Sequence, residues 1–306
     1  MKGNSLYRQG SGLGKPAEID RGATCRLDYS DMPFADRTVK VNGIALHCLD
    51  WGPVDAPAVI LLHGITGHAR VWDHLAGRLA PQRRVIALDQ RGHGDSDPAP
   101  DDDYRVGTMA DDVGTFADSL RLDRFVLIGH SMGGRIAIQY AADHAARLER
   151  LVIIDIGPDI NLAGLQRVRD MMARSPERIE SEEWAVEYIR RANPLQDVDM
   201  LRARVRHGLR RLPDGELTWK YAKGLRDMMR EGRRDTVDLW EPLPRISCPT
   251  LVVRGSESDI LSPEVAKKMA ERLPDGRLVE IAGAGHTVPA DRPEEFVREI
   301  RTFLGV

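Results

Sequence analysis

The stretch "FVLIGHSMGGRIAIQYAA", residues 125–142, decides how the chain is read. Phe125 to Ile128 form a short apolar run that ends on a glycine, the mark of a buried strand. The residues after Gly134 carry an apolar stripe at helical spacing. Ser131 therefore stands on a strand-to-helix turn, with Gly129 two residues before it and Gly133 two after. On so sharp a turn the neighbouring chain comes close enough to clash with a side chain at either position. Glycine relieves the clash and leaves the serine Oγ exposed at the carboxyl edge of the sheet. A bare G-x-S-x-G is a common accident. In a strand–turn–helix setting it marks a nucleophile rather than a serine that caps a helix.

Further apolar runs extend the pattern on both sides. "RTVKVNGIALHCLDWG" reads as two short strands around a turn at Asn42-Gly43. "AVILLHG", "RRVIALDQRGHG", "RLVIIDIG", "PTLVVRG" and "GRLVEIAG" read as further strands, with helices near 70–80, 105–121, 132–146, 263–273 and 291–304. Strands alternating with helices mean an α/β fold, a mostly parallel sheet covered on both faces.

Residues 158–243 break the alternation. They read as several helices punctuated by Pro176, Pro194 and Pro213, without a strand. The segment holds 17 Lys and Arg against 16 Asp and Glu, so its Arg-rich piece "RARVRHGLRR", 202–211, is expected to be a solvated, ion-paired helix face. It also holds five of the ten methionines, with Trp184, Tyr188, Trp219 and Tyr221. Most of these are expected in its core. Trp184, Trp219 and Met228 are candidates to line an apolar pocket. The expected organisation is a polar N-terminal arm over 1–31, a core over 32–157 and 244–306, and a helical cap over 158–243. The arm lacks the apolar stretch of a secretory signal, and its "GSGLG" has no strand before it to make a phosphate loop.

Composition narrows the function. A net charge of −3 argues against nucleic-acid binding, and no apolar run of the 306-residue chain is long enough for a membrane helix. The three cysteines, Cys25, Cys48 and Cys248, are far apart and show neither disulfide nor metal spacing, so a cytoplasmic location is expected. The histidines show no ligand spacing with acidic support, and no metal or cofactor is expected.

A nucleophilic serine needs a base, an acid and an oxyanion hole. His286, in "EIAGAGHTVPADRPEEF", lies between the last strand and the last helix, where it can reach the carboxyl edge. Asp259, in "VVRGSESDILSP", is the favoured acid and gives the chain order Ser, Asp, His. Asp155, at the end of "VIID", and Glu257 are its rivals. The backbone N–H groups of Met132 and Ile65 are the candidate oxyanion donors. His63 and His130 are expected around the substrate.

Together, "LLHGITG", "DQRGHGDSD", "GHSMGG", "RGSESDIL" and "GAGHTVP" resemble the α/β-hydrolase superfamily over about residues 38–306. The likeness is strongest to single-domain esterases and lactonases with a helical cap after the sixth strand. It implies an eight-stranded sheet, the nucleophile after the fifth strand, and no cofactor. The acid loop departs from the frequent G-x-x-D pattern, because "GSESD" is one residue longer, which leaves the choice of acid open. Serine at 131, where related dehalogenases and epoxide hydrolases need aspartate, implies an acyl-enzyme. Carboxyl esters, thioesters or lactones are then the expected substrates, with neutral, moderately apolar esters preferred and aliphatic polyesters possible. Enol-lactone or carbon–carbon bond hydrolysis, and a non-catalytic ligand receptor of the same fold, are the alternatives. The expected partner is a small molecule.

Overall fold

The computed structural model describes residues 32–232, 235 and 237–306; the polar arm and its "GSGLG" lie outside the described residues. The described residues open with β1 (Phe34–Val41) and β2 (Ile44–Trp51), an antiparallel hairpin. Asn42 and Gly43 turn it with φ of 48° and 87°, the left-handed pair that a tight two-residue hairpin demands. Then come β3 (Ala58–Leu62), α1 (Asp73–Leu79), β4 (Arg84–Leu88), α2 (Val106–Ser119), β5 (Phe125–His130), α3 (Met132–His144) and β6 (Leu148–Ile154).

The segment after β6 holds α4 (Leu162–Arg174), α5 (Glu182–Ala192), α6 (Val198–Gly208), β7 (Leu209–Arg211), β8 (Leu217–Trp219) and α7 (Lys223–Arg230). The chain then returns through β9 (Thr250–Gly255), α8 (Pro263–Arg272), β10 (Gly276–Ile281), α9 (Val288–Asp291) and α10 (Pro293–Leu304).

Eight strands form one sheet in the order β1-β2-β4-β3-β5-β6-β9-β10. From β4 to β10 every pairing is parallel. Alternate side chains of the central strands feed two cores, because successive residues of a strand point to opposite faces. Ile60, Leu62, Leu127 and Ile153 pack with Phe116 of α2 and Ile136 and Tyr140 of α3. Val59, Leu61, Val126 and Val152 pack with Leu75 of α1 and Phe296 and Ile300 of α10. Each such side chain contributes roughly 1.5–3 kcal/mol by leaving water. This two-sided burial makes the carboxyl edge of β3, β5 and β6 a rigid platform. No helix of the described residues is long and apolar enough to cross a membrane.

The segment between β6 and β9 is not purely helical, as expected, but contains the β7–β8 hairpin. Its turn is "LPDGE", where Gly215 takes φ of 90°. Strands of three residues are too short to show alternation, so only the Pro-Asp-Gly turn signals them. Asn161, Ser181 and Asp197 cap α4, α5 and α6 by accepting backbone N–H bonds, a contribution of about 1 kcal/mol each. The Arg-rich piece also departs from expectation. Arg202 pairs with Asp199 at 3.4 Å on the surface, but Arg204 turns inward and donates to Thr66 Oγ1 at 2.9 Å.

Candidate active site

Ser131 sits between β5 and α3 with φ of 52° and ψ of −116°, a strained conformation for a residue with a side chain. The two glycines relieve the contacts foreseen for them. A Cβ on Gly129 would stand 2.3 Å from the Gly133 carbonyl oxygen, and one on Gly133 2.4 Å from that of Leu62. Backbone bonds hold the turn. Ser131 N–H donates to Ile154 O at 3.0 Å, and Ser131 O accepts from the N–H groups of Gly134 and Arg135.

The serine Oγ lies 3.0 Å from His286 Nε2, and His286 Nδ1 lies 2.8 Å from Asp155 Oδ2. An ionised carboxylate only accepts, so Nδ1 carries the proton and Nε2 is left to accept from the serine hydroxyl. His130 braces this arrangement from below. Its Nε2–H donates to the His286 carbonyl at 2.9 Å. Burial pushes the His130 imidazole down to about 3, helped by the charges of His286 and Arg204, so it remains a neutral brace.

The acid is where expectation and structure part. Asp259 does not reach His286. It forms a two-pronged ion pair with Arg167 of α4, at 2.6 Å to Nε and 2.7 Å to Nη2. The hydrogen bonds from Arg167 hold its carboxyl below the ordinary range. Asp155 takes the place at the histidine. It is fully buried at the end of β6 with φ of 50°. Its Oδ1 accepts Gly255 N–H at 2.9 Å, and Oδ2 accepts the Ser258 hydroxyl as well as His286. Counted from Gly255, Ser258 occupies the fourth position of the G-x-x-D pattern. Its hydroxyl is neutral and short, so it supports an aspartate from the neighbouring strand instead of replacing one. That serine was the sequence signal for Asp155. Glu257 accepts from Ser256 Oγ, near the surface, at 3.1 Å.

The candidate oxyanion donors keep their N–H groups free. Among the described residues, neither Ile65 N–H nor Met132 N–H has a protein acceptor. The loop carrying Ile65 lies against the nucleophile, since a Cβ on Gly64 would stand 3.2 Å from the Ser131 Cβ. His63 fixes this loop. Its Nδ1–H donates to Gly64 O at 2.8 Å, and its Nε2 accepts Gln90 N–H at 3.1 Å. Burial pushes its pKa down to about 3, as fits a neutral imidazole with both nitrogens in use.

A cavity of about 1280 Å³ opens over Ser131 and His286. His130 lines it, but His63 lies beneath the loop and does not. Trp184, Trp219 and Met228 do not line it either. Trp219 is buried with Ile179, Ile189 and Leu201 in the inserted segment's own core, and Trp184 packs beside it, stacked on Tyr188. Met228 packs with Leu225, Met172 and Tyr104. The inserted segment supplies instead Val168, Met171, Leu195, Gln196, Met200 and Arg204. Balanced charge over the whole segment masked Arg204.

His47, Asp89 and Asp95 bring three possible metal-ligand atoms together. Those atoms already have protein partners. His47 Nδ1 bonds Asp89 at 2.7 Å, and Asp95 pairs with Lys220 at 2.7 Å. The cluster ties β2 to the loop after β4.

A family model described as the alpha/beta hydrolase fold matches residues 57–293. The chain belongs to the α/β-hydrolase fold family. It is 29% identical over 284 residues to a 2-(acetamidomethylene)succinate hydrolase of Mesorhizobium japonicum, covering 90% of this chain and 98% of that one. It is 32% identical over 271 residues to an N-formylmaleamate deformylase of Pseudomonas putida, covering 88% and 96%. A crystal structure of E-2-(acetamidomethylene)succinate hydrolase superposes with a TM-score of 0.82 at 28% identity, over 90% of this chain and all of that one. Within this α/β-hydrolase frame, the expected eight-stranded, mostly parallel sheet and the serine on the turn after β5 are both present.

Proposed function

We propose that the protein is a serine hydrolase that forms an acyl-enzyme on Ser131 and releases it to water. The observation that carries this reading is the chain of hydrogen bonds from Ser131 Oγ through His286 to Asp155, at 3.0 and 2.8 Å, on the floor of a cavity. As Oγ attacks a carbonyl carbon, His286 Nε2 takes its proton and Asp155 stabilises the imidazolium. The N–H groups of Ile65 and Met132 receive the oxyanion. The imidazolium then returns the proton to the leaving group. Water repeats the sequence on the acyl-enzyme, and His286 is again the base.

Esters and lactones fit this chemistry. So do N-acyl compounds, because the names of the two curated relatives carry acetamido and N-formyl groups. The expectation of neutral, moderately apolar esters came from the balanced charge of 158–243 and from its apolar side chains, of which Trp184, Trp219 and Met228 do not line the cavity and Met171 does. The substrate is a small molecule held in the cavity, and the acid is assigned to Asp155.

Kinetics on an aryl ester test the proposal. Ser131→Ala is expected to lower kcat by at least about a thousandfold without changing the fold. Aryl-ester turnover retained by that variant within tenfold of wild type contradicts it.

A further inference from the structure

The arginines at the cavity differ in one respect. Arg70, Arg78 and Arg167 are paired with Asp73, Glu294 and Asp259 at 3.0, 2.6 and 2.6 Å. Arg292, which like Arg204 has no carboxylate within ion-pair distance among the described residues, is satisfied locally by donating to the Asp291 carbonyl at 2.9 Å. Arg204 borders the same cavity, and among the described residues no carboxylate lies within ion-pair distance of it. Among the described residues its side chain has one partner, the Thr66 hydroxyl, at 2.9 Å from Nη2. Burial pulls its pKa down, against the opposing charges of Tyr221 and Asp291. A guanidinium does not escape this cost by losing its proton at any working pH. A charge taken from water without a direct counterion is expensive.

Two contacts aim the group. His68 Nε2–H donates to the Arg204 carbonyl at 2.9 Å and ties α6 to the core at that residue. Thr66 follows Ile65 on the oxyanion loop and takes φ of 74°, rare for a β-branched residue. Thr66 so posed joins the guanidinium to the same loop that presents the oxyanion donor. The field of Arg204 also reaches the floor of the site, where it adds to the burial that lowers His130. A second polar group waits nearby. Gln196 is buried at the cavity wall, and its Oε1 has no partner among the described residues. Asp291 is felt electrostatically but is held by Gly285 N–H at 2.8 Å.

We propose that Arg204, steered by Thr66, is the anchor for a carboxylate on the substrate, so that the acyl compounds hydrolysed at Ser131 are anionic, with a free carboxylate on the same molecule as the scissile carbonyl. A planar fork of N–H donors matches a carboxylate, and pairing there offsets the cost of a half-buried cation without a direct counterion. The proposal rests on the serine-hydrolase reading for its chemistry but not for its binding.

The test uses matched esters. The mono-p-nitrophenyl esters of fumarate and adipate are compared with their methyl p-nitrophenyl diesters, in the wild type, Arg204→Gln and Arg204→Lys. The fumarate half-ester is trans, so its carboxylate does not attack its own ester. In the wild type, kcat/KM is expected to favour at least one half-ester over its diester by tenfold or more. Arg204→Gln is expected to cut that ratio at least tenfold, and Arg204→Lys to keep part of it. If Arg204→Gln does not fold, Thr66→Val serves, with a several-fold loss expected. A ratio unchanged by these substitutions, in protein that still labels with a fluorophosphonate, overturns the anchor and leaves the serine reading intact. A stronger preference for the matching phosphonate overturns the carboxylate assignment. If neither ester turns over and no label attaches, the serine reading fails, and calorimetry with fumarate and adipate decides the anchor. Binding weakened tenfold by Arg204→Gln supports it, and equal or absent binding overturns it.

Discussion

Asp155 Oδ2 lies 2.8 Å from His286 Nδ1, although the two residues are 131 positions apart and a second aspartate stands in the more usual acid loop. Asp155 comes from the end of β6, and that aspartate, Asp259, faces Arg167. The arrangement ranks the two carboxylates. Asp155→Asn is expected to lower kcat by about 10⁴, because the amide fixes the wrong histidine tautomer. Asp259→Asn is expected to cost less than about tenfold, through the loosened contact with α4 rather than the chemistry. Paired kinetics on folded variants check this; equal losses would move the acid out of β6.

Ser258 donates to the same carboxylate oxygen that faces His286. Ser258→Ala leaves a buried charge with one donor fewer, which is expected to cost about 1–3 kcal/mol in stability. Urea unfolding measures it, and an unchanged midpoint would remove Ser258 from the support of Asp155.

The close approach at Gly133 is to backbone, which has little room to yield. Gly133→Ala is expected to destabilise by about 3 kcal/mol or more, with Tm falling accordingly. A Tm within a degree or two of wild type would show that the turn can open.

Asp291 is buried and its pKa is raised by that burial to about 6, from an ordinary 3.8. A raised carboxyl favours the folded state fully below about pH 4 and loses that contribution as pH rises through 6. Asp291→Asn, which keeps an oxygen for Gly285 N–H, should therefore gain relative to wild type between pH 4 and pH 8, by about 3 kcal/mol at most. Thermal melts across that range test the sign. A relative gain on acidification would reverse it.

Trp219 is enclosed by the inserted segment's own core, whereas Met200 lines the cavity. Trp219→Ala is expected to cost about 3–5 kcal/mol of stability. Met200→Ala is expected to alter the ranking of acyl groups with a smaller loss. Melting curves and an acyl-length series separate the two. An acyl ranking moved by Trp219→Ala and not by Met200→Ala would put the selecting wall elsewhere.

Much of this was legible in the chain. The strand, the turn and the two glycines around Ser131 are dictated by local sterics, so they show in six consecutive letters. His286 was legible for a similar reason, since a loop after the last parallel strand opens on the same edge. The acid was less so. Asp155 and Asp259 both follow strands that end at that edge, and one extra residue in a loop turns a side chain away from it. Ser258 at the expected acid position was the discriminating letter. The cavity wall was least legible. Nothing in the spacing of Trp184, Trp219 and Met228 distinguishes the inner face of a small helical insertion from its own core. A charge count over 158–243 likewise averages Arg204 with arginines that face water.

The proposed reaction requires Ser131, activated by His286, to take up an acyl group. Fluorophosphonate labelling followed by intact-mass measurement and peptide mapping tests it most directly. One adduct per chain is expected, mapped to Ser131, absent in Ser131→Ala and slowed by orders of magnitude in His286→Ala. No adduct on the folded wild type, or an adduct at another residue that persists in Ser131→Ala, would contradict it.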